Sequence, residues 1–436
     1  MMTKKWQLYP TYKDSGVEWL GAIPEHWKVK KLKNVAFINL DTLNEDIQPD
    51  YLLTYIDIGN VTSDGSILET QEFQFKQAPS RARRKVKNGD TIISTVRTYL
   101  RAISLIKDPP ENLIVSTGFA VLSPRAEIDS RFLFRFVQSS EFVEKVVAHS
   151  EGVGYPAINP SKLACLPIWL PPLPEQQKIA QFLDQETSKI DNLITKKERL
   201  IKLLKEKRTA LISHAVTKGL NPDVPMKDSG VEWLGEIPEH WEIVPLRSVL
   251  EQRIEYNIGR KTENILSVIK DVGVVNYEDR EASGNKKSEN IEQYKIIYPS
   301  DIVVNRMNLI FGSVGIAREY GASSTEYYVL KPKSNKVCQE YYGHIFCSKS
   351  FQLSLVGIGK GILFHRMRIY SEELKKILFP FPPLEEQKLI NEYLIQNLNE
   401  INHLSDKLNT SIDHLKEYRT ALISAAVTGK IDVREH

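Results

Sequence analysis

Arg81, Arg83, Arg84, Lys85 and Lys87 crowd into one short stretch just before an Asn88-Gly89 turn, and Arg97, Tyr99 and Arg101 follow soon after. The second half of the chain offers a comparable set: Lys286 and Lys287, then Asn305, Arg306 and Asn308, and later Lys360, His365, Arg366 and Arg368. Guanidinium and ammonium groups grip phosphate oxygens, an arginine fork matches the guanine edge, and an asparagine amide matches adenine. A charge run is also what an ordinary solvated face looks like, and for residues 81–87 taken alone both readings stay open. Recurrence beside the corresponding strands of both halves favours DNA contact. Which of these side chains would read bases rather than hold phosphates is left open. The signal is local, because the whole chain carries a net charge of only +3.

Signs of catalysis are missing. No G-x-x-x-x-G-K-[ST] phosphate loop occurs; Gly357-Ile358-Gly359-Lys360-Gly361 lacks the hydroxyl residue after its lysine and reads as a flexible loop. Asp108-Pro109-Pro110-Glu111 superficially resembles the D-P-P-aromatic motif of amino-methyltransferases, but Glu111 replaces the aromatic and no glycine-rich cofactor loop accompanies it, so it reads as a turn. The nine histidines form no H-E-x-x-H set, and the three cysteines (Cys165, Cys338, Cys347) have no zinc-like spacing. Neither a catalytic nor a metal site is expected. Free cysteines, no signal-like start in MMTKKWQLYP and no long apolar run fit a cytoplasmic protein without membrane contact.

The frame that would carry the cations is written twice. KDSGVEWLGAIPEHW starts at Lys13 and KDSGVEWLGEIPEHW at Lys227, an offset of 214 residues with only Ala22 against Glu236 changed. RTALIS starts at Arg208 and again at Arg419, an offset of 211. Each frame opens a variable part with β-branched runs after turns: Thr91–Val96 follows Asn88-Gly89-Asp90, and Ile302–Val304 follows Pro299-Ser300-Asp301. Scattered glycine and proline make each variable part a compact α+β domain. His26 and His240 sit inside the frame, where packing is the simplest role; Trp19, Trp27, Trp233 and Trp241 would anchor the frame to a core or form a docking surface.

Two long helices complete the plan. PPLPEQQKIAQFL from Pro171 and PPLEEQKLINEYL from Pro382 combine prolines, then carboxylates, then apolar periodicity, the marks of a helix start. Leu183, Ile190, Lys197, Leu204 and Leu211 recur every seven residues, and Leu394, Ile401, Leu408, Leu415 and Leu422 do the same 211 residues later; Leu193, Leu200 and Leu404 are expected to add part of a second stripe. This pattern predicts a long antiparallel coiled coil. The fold expected is two similar α+β domains with a pseudo-twofold internal repeat, separated by the paired helices. The boundaries read from sequence are a first domain over 1–173, a central helix over 174–217, a second domain over 218–381, and a terminal helix and tail over 382–436.

Taken together, S-G-V-x-W-L-G-x-I-P-x-H-W at Ser15 and Ser229, P-P-L-x-E-Q at Pro171 and Pro382, and the helix ends from Arg208 and Arg419 make the chain resemble the specificity subunit of type I restriction–modification enzymes. The resemblance covers essentially the whole chain. It implies two target-recognition domains, each reading one half of a split, asymmetric double-stranded DNA site, with the helices setting the spacer. It also implies a non-catalytic subunit that assembles with two methyltransferase subunits and with restriction-motor subunits. S-adenosylmethionine, ATP and magnesium would belong to those partners, and no cofactor to this chain. Base-reading residues differ between members of such a family and none is carried over. Two rival readings are an enzyme with its own methyltransferase or nuclease centre, which methyl transfer by the chain alone would reveal, and a protein scaffold that binds no DNA.

Overall fold

The computed structural model describes residues 6–19, 21–44, 46–270, 272–280, 288, 290–358 and 368–435. The chain forms two compact units, one of residues 1–197 with 409–436 and one of residues 198–408. The cut between them falls inside the two long helices, so the first unit is made of two separate pieces of chain and the second of one continuous piece.

The first unit is built on strands β1 (Lys28–Lys31), β2 (Ala36–Ile38), β3 (Leu52–Ile56), β4 (Gln71–Gln74), β5 (Ala82–Lys85), β6 (Thr91–Ser94), β7 (Ile103–Leu105), β8 (Leu113–Ser116) and β9 (Phe119–Pro124). Helices α1 (Ser130–Gln138) and α2 (Ser140–Ala148) follow, then β10 (Pro167–Leu170) and the long helix α3 (Leu173–Lys218). One sheet has the order β4-β3-β8-β5 and is antiparallel except for β3 beside β8; the other, β2-β9-β6-β7, is wholly antiparallel. Every residue of Thr91–Ser94 is buried, which is why that run is β-branched and uncharged. The Asp129 carboxylate caps α1 by accepting from the Arg131 and Phe132 amides.

The second unit uses β11 (Glu242–Pro245), β12 (Leu250–Gln252), β13 (Ile302–Asn305), β14 (Val314–Ile316), β15 (Tyr327–Pro332), α4 (Gln339–Cys347), β16 (Leu378–Phe381) and the long helix α5 (Leu384–Val427). Its sheet β12-β15-β13-β14 repeats the order of β2-β9-β6-β7. The outer ladders correspond too, β1 with β10 and β11 with β16, both antiparallel. The α+β reading and the internal repeat therefore hold at the level of strand order.

The repeated motifs are explained by what they hold together. Trp27 and Trp241 are fully buried. Trp27 Nε1 donates to Glu175 Oε1 at 3.0 Å, the Tyr9 hydroxyl donates to the same oxygen at 2.8 Å, and His26 Nε2 lies 2.7 Å from Oε2. In the second unit Trp241 and His240 reach Glu386 at 3.0 and 2.8 Å. The frame histidines are thus hydrogen-bond partners of a carboxylate in the first turn of a long helix, a role beyond packing. Trp19 stacks against Trp169, and Trp233 against Phe351 and Phe379, so the remaining frame tryptophans anchor to the core. The glutamine of each P-P-L-x-E-Q segment closes the other side. Gln176 donates to the Pro171 and Glu127 carbonyls and accepts from the Asp129 amide; Gln387 does the same with Pro382, Lys336 and Cys338.

Glycine follows both helices in the left-handed region, Gly219 at φ 72° and Gly429 at φ 73°. A Cβ on Gly429 would collide with Pro24, and one on Gly219 would press on Trp241. The end of α5 therefore seats on the first frame, and the end of α3 on the second.

Within each unit the two long helices pair antiparallel. In the first, Arg419 Nε donates to Asp191 Oδ1 at 2.9 Å; in the second, Arg208 Nη1 donates to Asn402 Oδ1 at 2.9 Å. The first apolar stripe faces inward as expected, but the second does not run through Leu193, Leu200 and Leu404, which are 47%, 46% and 49% exposed. The inward flank is instead Thr187, Ile194, Ile201 and Arg208 on α3, with Leu398, Ser405, Ile412 and Arg419 on α5. Both flanks lie three or four residues from the first stripe, so spacing alone could not choose between them. The facing helix chose, and it accepted polar side chains there.

Candidate nucleic-acid interface

The sequence cluster of residues 81–87 does not form one patch. Its residues run along the edge strand β5, so Arg81 and Lys85 stand about 13 Å apart. Arg83 lies over the Phe75 ring at 4.9 Å and donates to the Ala82 carbonyl. Arg84 donates to Thr42 Oγ1 at 3.3 Å, while Lys85 and Lys87 sit 3.9 and 3.8 Å from the Asp41 carboxylate. Arg81, by contrast, is exposed at the other end of the strand.

That end is where Arg97 also lies. The Arg81 carbonyl accepts from the Thr117 amide and the Gly118 carbonyl accepts from Thr95, so one turn, Thr117-Gly118, ties the two strand ends together. Beyond β6 the backbone turns through Arg97 (φ 50°), a single 3₁₀ turn over Thr98–Leu100, and Arg101 (φ 57°). Two non-glycine residues of one loop in the left-handed region are costly and persist only where the surroundings impose them. Here the imposing contacts are visible. Arg97 N donates to the Pro156 carbonyl at 2.7 Å, Arg101 Nη2 to Ser140 Oγ at 3.0 Å, and Thr98 Oγ1 lies 2.9 Å from Ser150 Oγ. Tyr99 and Leu100 point outward and are exposed.

A search for cations passes over the adjoining hairpin, Glu151 to Ala157, whose ends pair with each other. It carries the exposed Val153 and Tyr155, and Tyr155 lies under the Arg97 guanidinium at 4.3 Å. The signal available in sequence was the run Gly152-Val153-Gly154-Tyr155-Pro156, an aromatic on a glycine-bearing loop.

In the second unit the equivalent strand end presents Asn305, Arg306 and Asn308. Arg306 is engaged in a bidentate pair with Glu326 at 2.6–3.0 Å, a contact that holds its guanidinium charged. Asn305 Oδ1 accepts from the Met307 amide, and Asn308 is exposed. The Ile369 amide donates to the Arg306 carbonyl, which brings the exposed Arg368 to the same end. Lys286, Lys287, Lys360, His365 and Arg366 lie outside the described residues. Buried cations elsewhere are structural: Lys295 Nζ donates to the Thr325 and Tyr327 carbonyls, and Arg253 pairs with Asp301.

No helix among the described residues is long and apolar enough to cross a membrane. Comparison with known proteins gives a consistent answer. The family model for the type I restriction modification DNA specificity domain matches residues 24–203 and again 238–414. A putative type I restriction enzyme MjaX specificity subunit of Methanocaldococcus jannaschii is 26% identical over 431 residues, covering 95% of this chain and 96% of the relative. The EcoBI specificity subunit of Escherichia coli is 25% identical over 60% of this chain and 58% of its own length. Among solved structures, a chain from a study of complex assembly and conformational transition of the type I system aligns with TM-score 0.70 at 20% identity, over 93% of this chain and 98% of that one. The HsdS subunit from Thermoanaerobacter tengcongensis aligns with TM-score 0.52 at 21% identity, over 94% and 98%. With one specificity domain matched in each half, the chain belongs to the type I restriction–modification DNA specificity family.

Proposed function

We propose that this chain is the non-catalytic DNA reader of a type I complex, each unit recognising one half of an asymmetric bipartite site. The observation that carries the reading is the contrast between frame and loop. The Trp–Glu–Gln locks and the order of the sheet that carries the loop are the same in both units, yet the matching positions 97 and 308 hold Arg in one and Asn in the other. A conserved support with different tips suits two half-sites of different sequence.

Methyltransferase subunits would dock on the outer faces of the long helices, where Leu193 and Leu203 on α3 and Leu389, Tyr393 and Leu404 on α5 are exposed. Continuous helices of 46 and 44 residues are stiff enough to fix a spacer, as a flexible linker is not. S-adenosylmethionine, ATP and magnesium are assigned to the partner subunits. The test is methylome sequencing of cells with and without the gene. Loss of one bipartite methylated motif is the expected result; an unchanged methylome, or methyl transfer by the isolated chain, overturns the proposal.

A further inference from the structure

We propose that Arg97 is the guanine reader of the first unit, held in place by Tyr155, and that it contacts the O6 and N7 edge of one fixed guanine in that half-site. The inference deepens the function proposed above and rests on it.

The first support is what Arg97 lacks. Other guanidinium groups of this unit have hydrogen-bond acceptors: Arg83 has the Ala82 carbonyl, Arg84 has Thr42, Arg101 has Ser140, and Arg135 has Asp184. Among the described residues the Arg97 guanidinium has neither a hydrogen-bond acceptor nor a carboxylate; its Nε is buried without a partner, as are those of Arg84 and Arg135, but their Nη atoms are engaged and those of Arg97 are not. A guanidinium taken partly out of water with no acceptor is unfavourable in the free protein, so an external acceptor is the natural complement.

The second support is how it is held. The Arg97 Cζ lies over the Tyr155 ring, 4.3 Å from its centroid, and the backbone is fixed by the Arg97 N to Pro156 O bond at 2.7 Å. Stacking leaves the edge of the fork free while removing its rotational freedom. A phosphate asks only for positive charge nearby, whereas a planar pair of acceptors rewards a fork whose plane is already set. In the major groove that pair is guanine N7 and O6.

The third support is the company it keeps. Tyr99 and Leu100 on the loop of Arg97, and Val153 on the hairpin of Tyr155, are exposed without any core to serve. Apolar contacts of that kind suit base edges and thymine methyl groups rather than phosphates. The matching residue of the second unit, Asn308, is exposed as well, which makes that half-site an internal control.

The experiment uses the chain assembled with its methyltransferase subunits and competition binding to its target duplex. Each guanine of both half-sites is replaced in turn by 7-deazaguanine, which lacks the N7 acceptor. One position should weaken the native complex about 10- to 100-fold. Arg97→Ala should bind the unmodified duplex about that much more weakly and show no further loss at that position, with penalties in the other half-site unchanged. Arg97→Gly removes the side chain while suiting the left-handed backbone, so it should behave alike even if the alanine variant folds poorly. Tyr155→Ala should lose several-fold at the same position only, and Tyr155→Phe should keep the full penalty.

The proposal is overturned if Arg97→Gly retains every 7-deazaguanine penalty, or if neither half-site contains a fixed guanine. It is also overturned if the variant only weakens binding uniformly with a flatter salt dependence, the mark of a phosphate contact. A native complex with no sequence preference at all would sink the parent reading, whereas a native bipartite preference left intact by Arg97→Gly sinks this inference alone.

Discussion

Trp27 donates its indole N–H to Glu175 at 3.0 Å, joining the frame of the first unit to the first turn of α3 across 148 residues of sequence. The same carboxylate also takes the Tyr9 hydroxyl and faces His26, and burial together with the hydrogen bond to Glu175 pushes the Tyr9 phenol well above its usual range. Glu175→Ala leaves a buried indole and a buried hydroxyl without an acceptor, at about 1–3 kcal/mol each before relaxation. We expect the first unit to lose several degrees of thermal stability. The second-unit counterpart, Glu386→Ala, should cost less because Glu386 is 26% exposed against 7% for Glu175. Calorimetry of both variants checks the ranking.

His344 gives the second unit an acid-sensitive point. It lies on α4 with Nε2 3.1 Å from Asn391 Oδ1, and burial pushes its imidazole from 6.5 down to about 4, with Arg208 adding to the effect and Glu340 opposing it. The folded form thus keeps His344 neutral where the unfolded chain would take up a proton. Its contribution to stability is intact above the unfolded value and is lost as pH falls toward the folded one. Between pH 7 and 5 the loss should be about 2 kcal/mol. His344→Gln should flatten that pH dependence, as read from denaturant midpoints at the two pH values.

Arg81 and Arg83 should separate in their salt dependence, though they stand two residues apart. Arg81 is exposed near Arg97, whereas Arg83 lies over Phe75. Arg81→Ala should lower the slope of log affinity against log salt by about 0.9, one phosphate contact's worth. Arg83→Ala should change the slope much less. Equal slopes in filter binding from 50 to 200 mM salt would show that Arg81 is only a solvated residue.

If the long helices set the spacer, one heptad inserted after Leu193 and another after Leu404 keeps each inward stripe in phase. Seven residues add roughly 10 Å of helix. The two half-sequences should persist while the unread spacer grows by a few base pairs, as methylome sequencing of the insertion strain would reveal. The original spacing in that strain would mean that the helices measure nothing.

Much of the architecture was readable because the chain repeats itself. An offset of 211 linking Leu183 to Leu394 and Arg208 to Arg419 announced two long helices and two related domains before any contact was known, since periodicity is a property of sequence. The strands Thr91–Ser94 and Ile302–Asn305 were legible for the same reason, as β-branched runs bounded by turns. The recognition surface was less so. Residues 81–87 are neighbours in sequence, but a strand stretches neighbours apart and turns alternate side chains to opposite faces.

Which cation remains unpaired was decided by partners distant in sequence: Asp41 beside Lys85, Glu326 on Arg306, and Tyr155 beneath Arg97. Leu193, Leu200 and Leu404 show the same limit, since helical spacing offers two flanks and only the facing helix selects one. Local propensity and period belong to short stretches of chain, and the sequence settled those. Pairing of charges and choice of face depend on groups that only folding brings within a few ångströms, and the tertiary structure alone decided them.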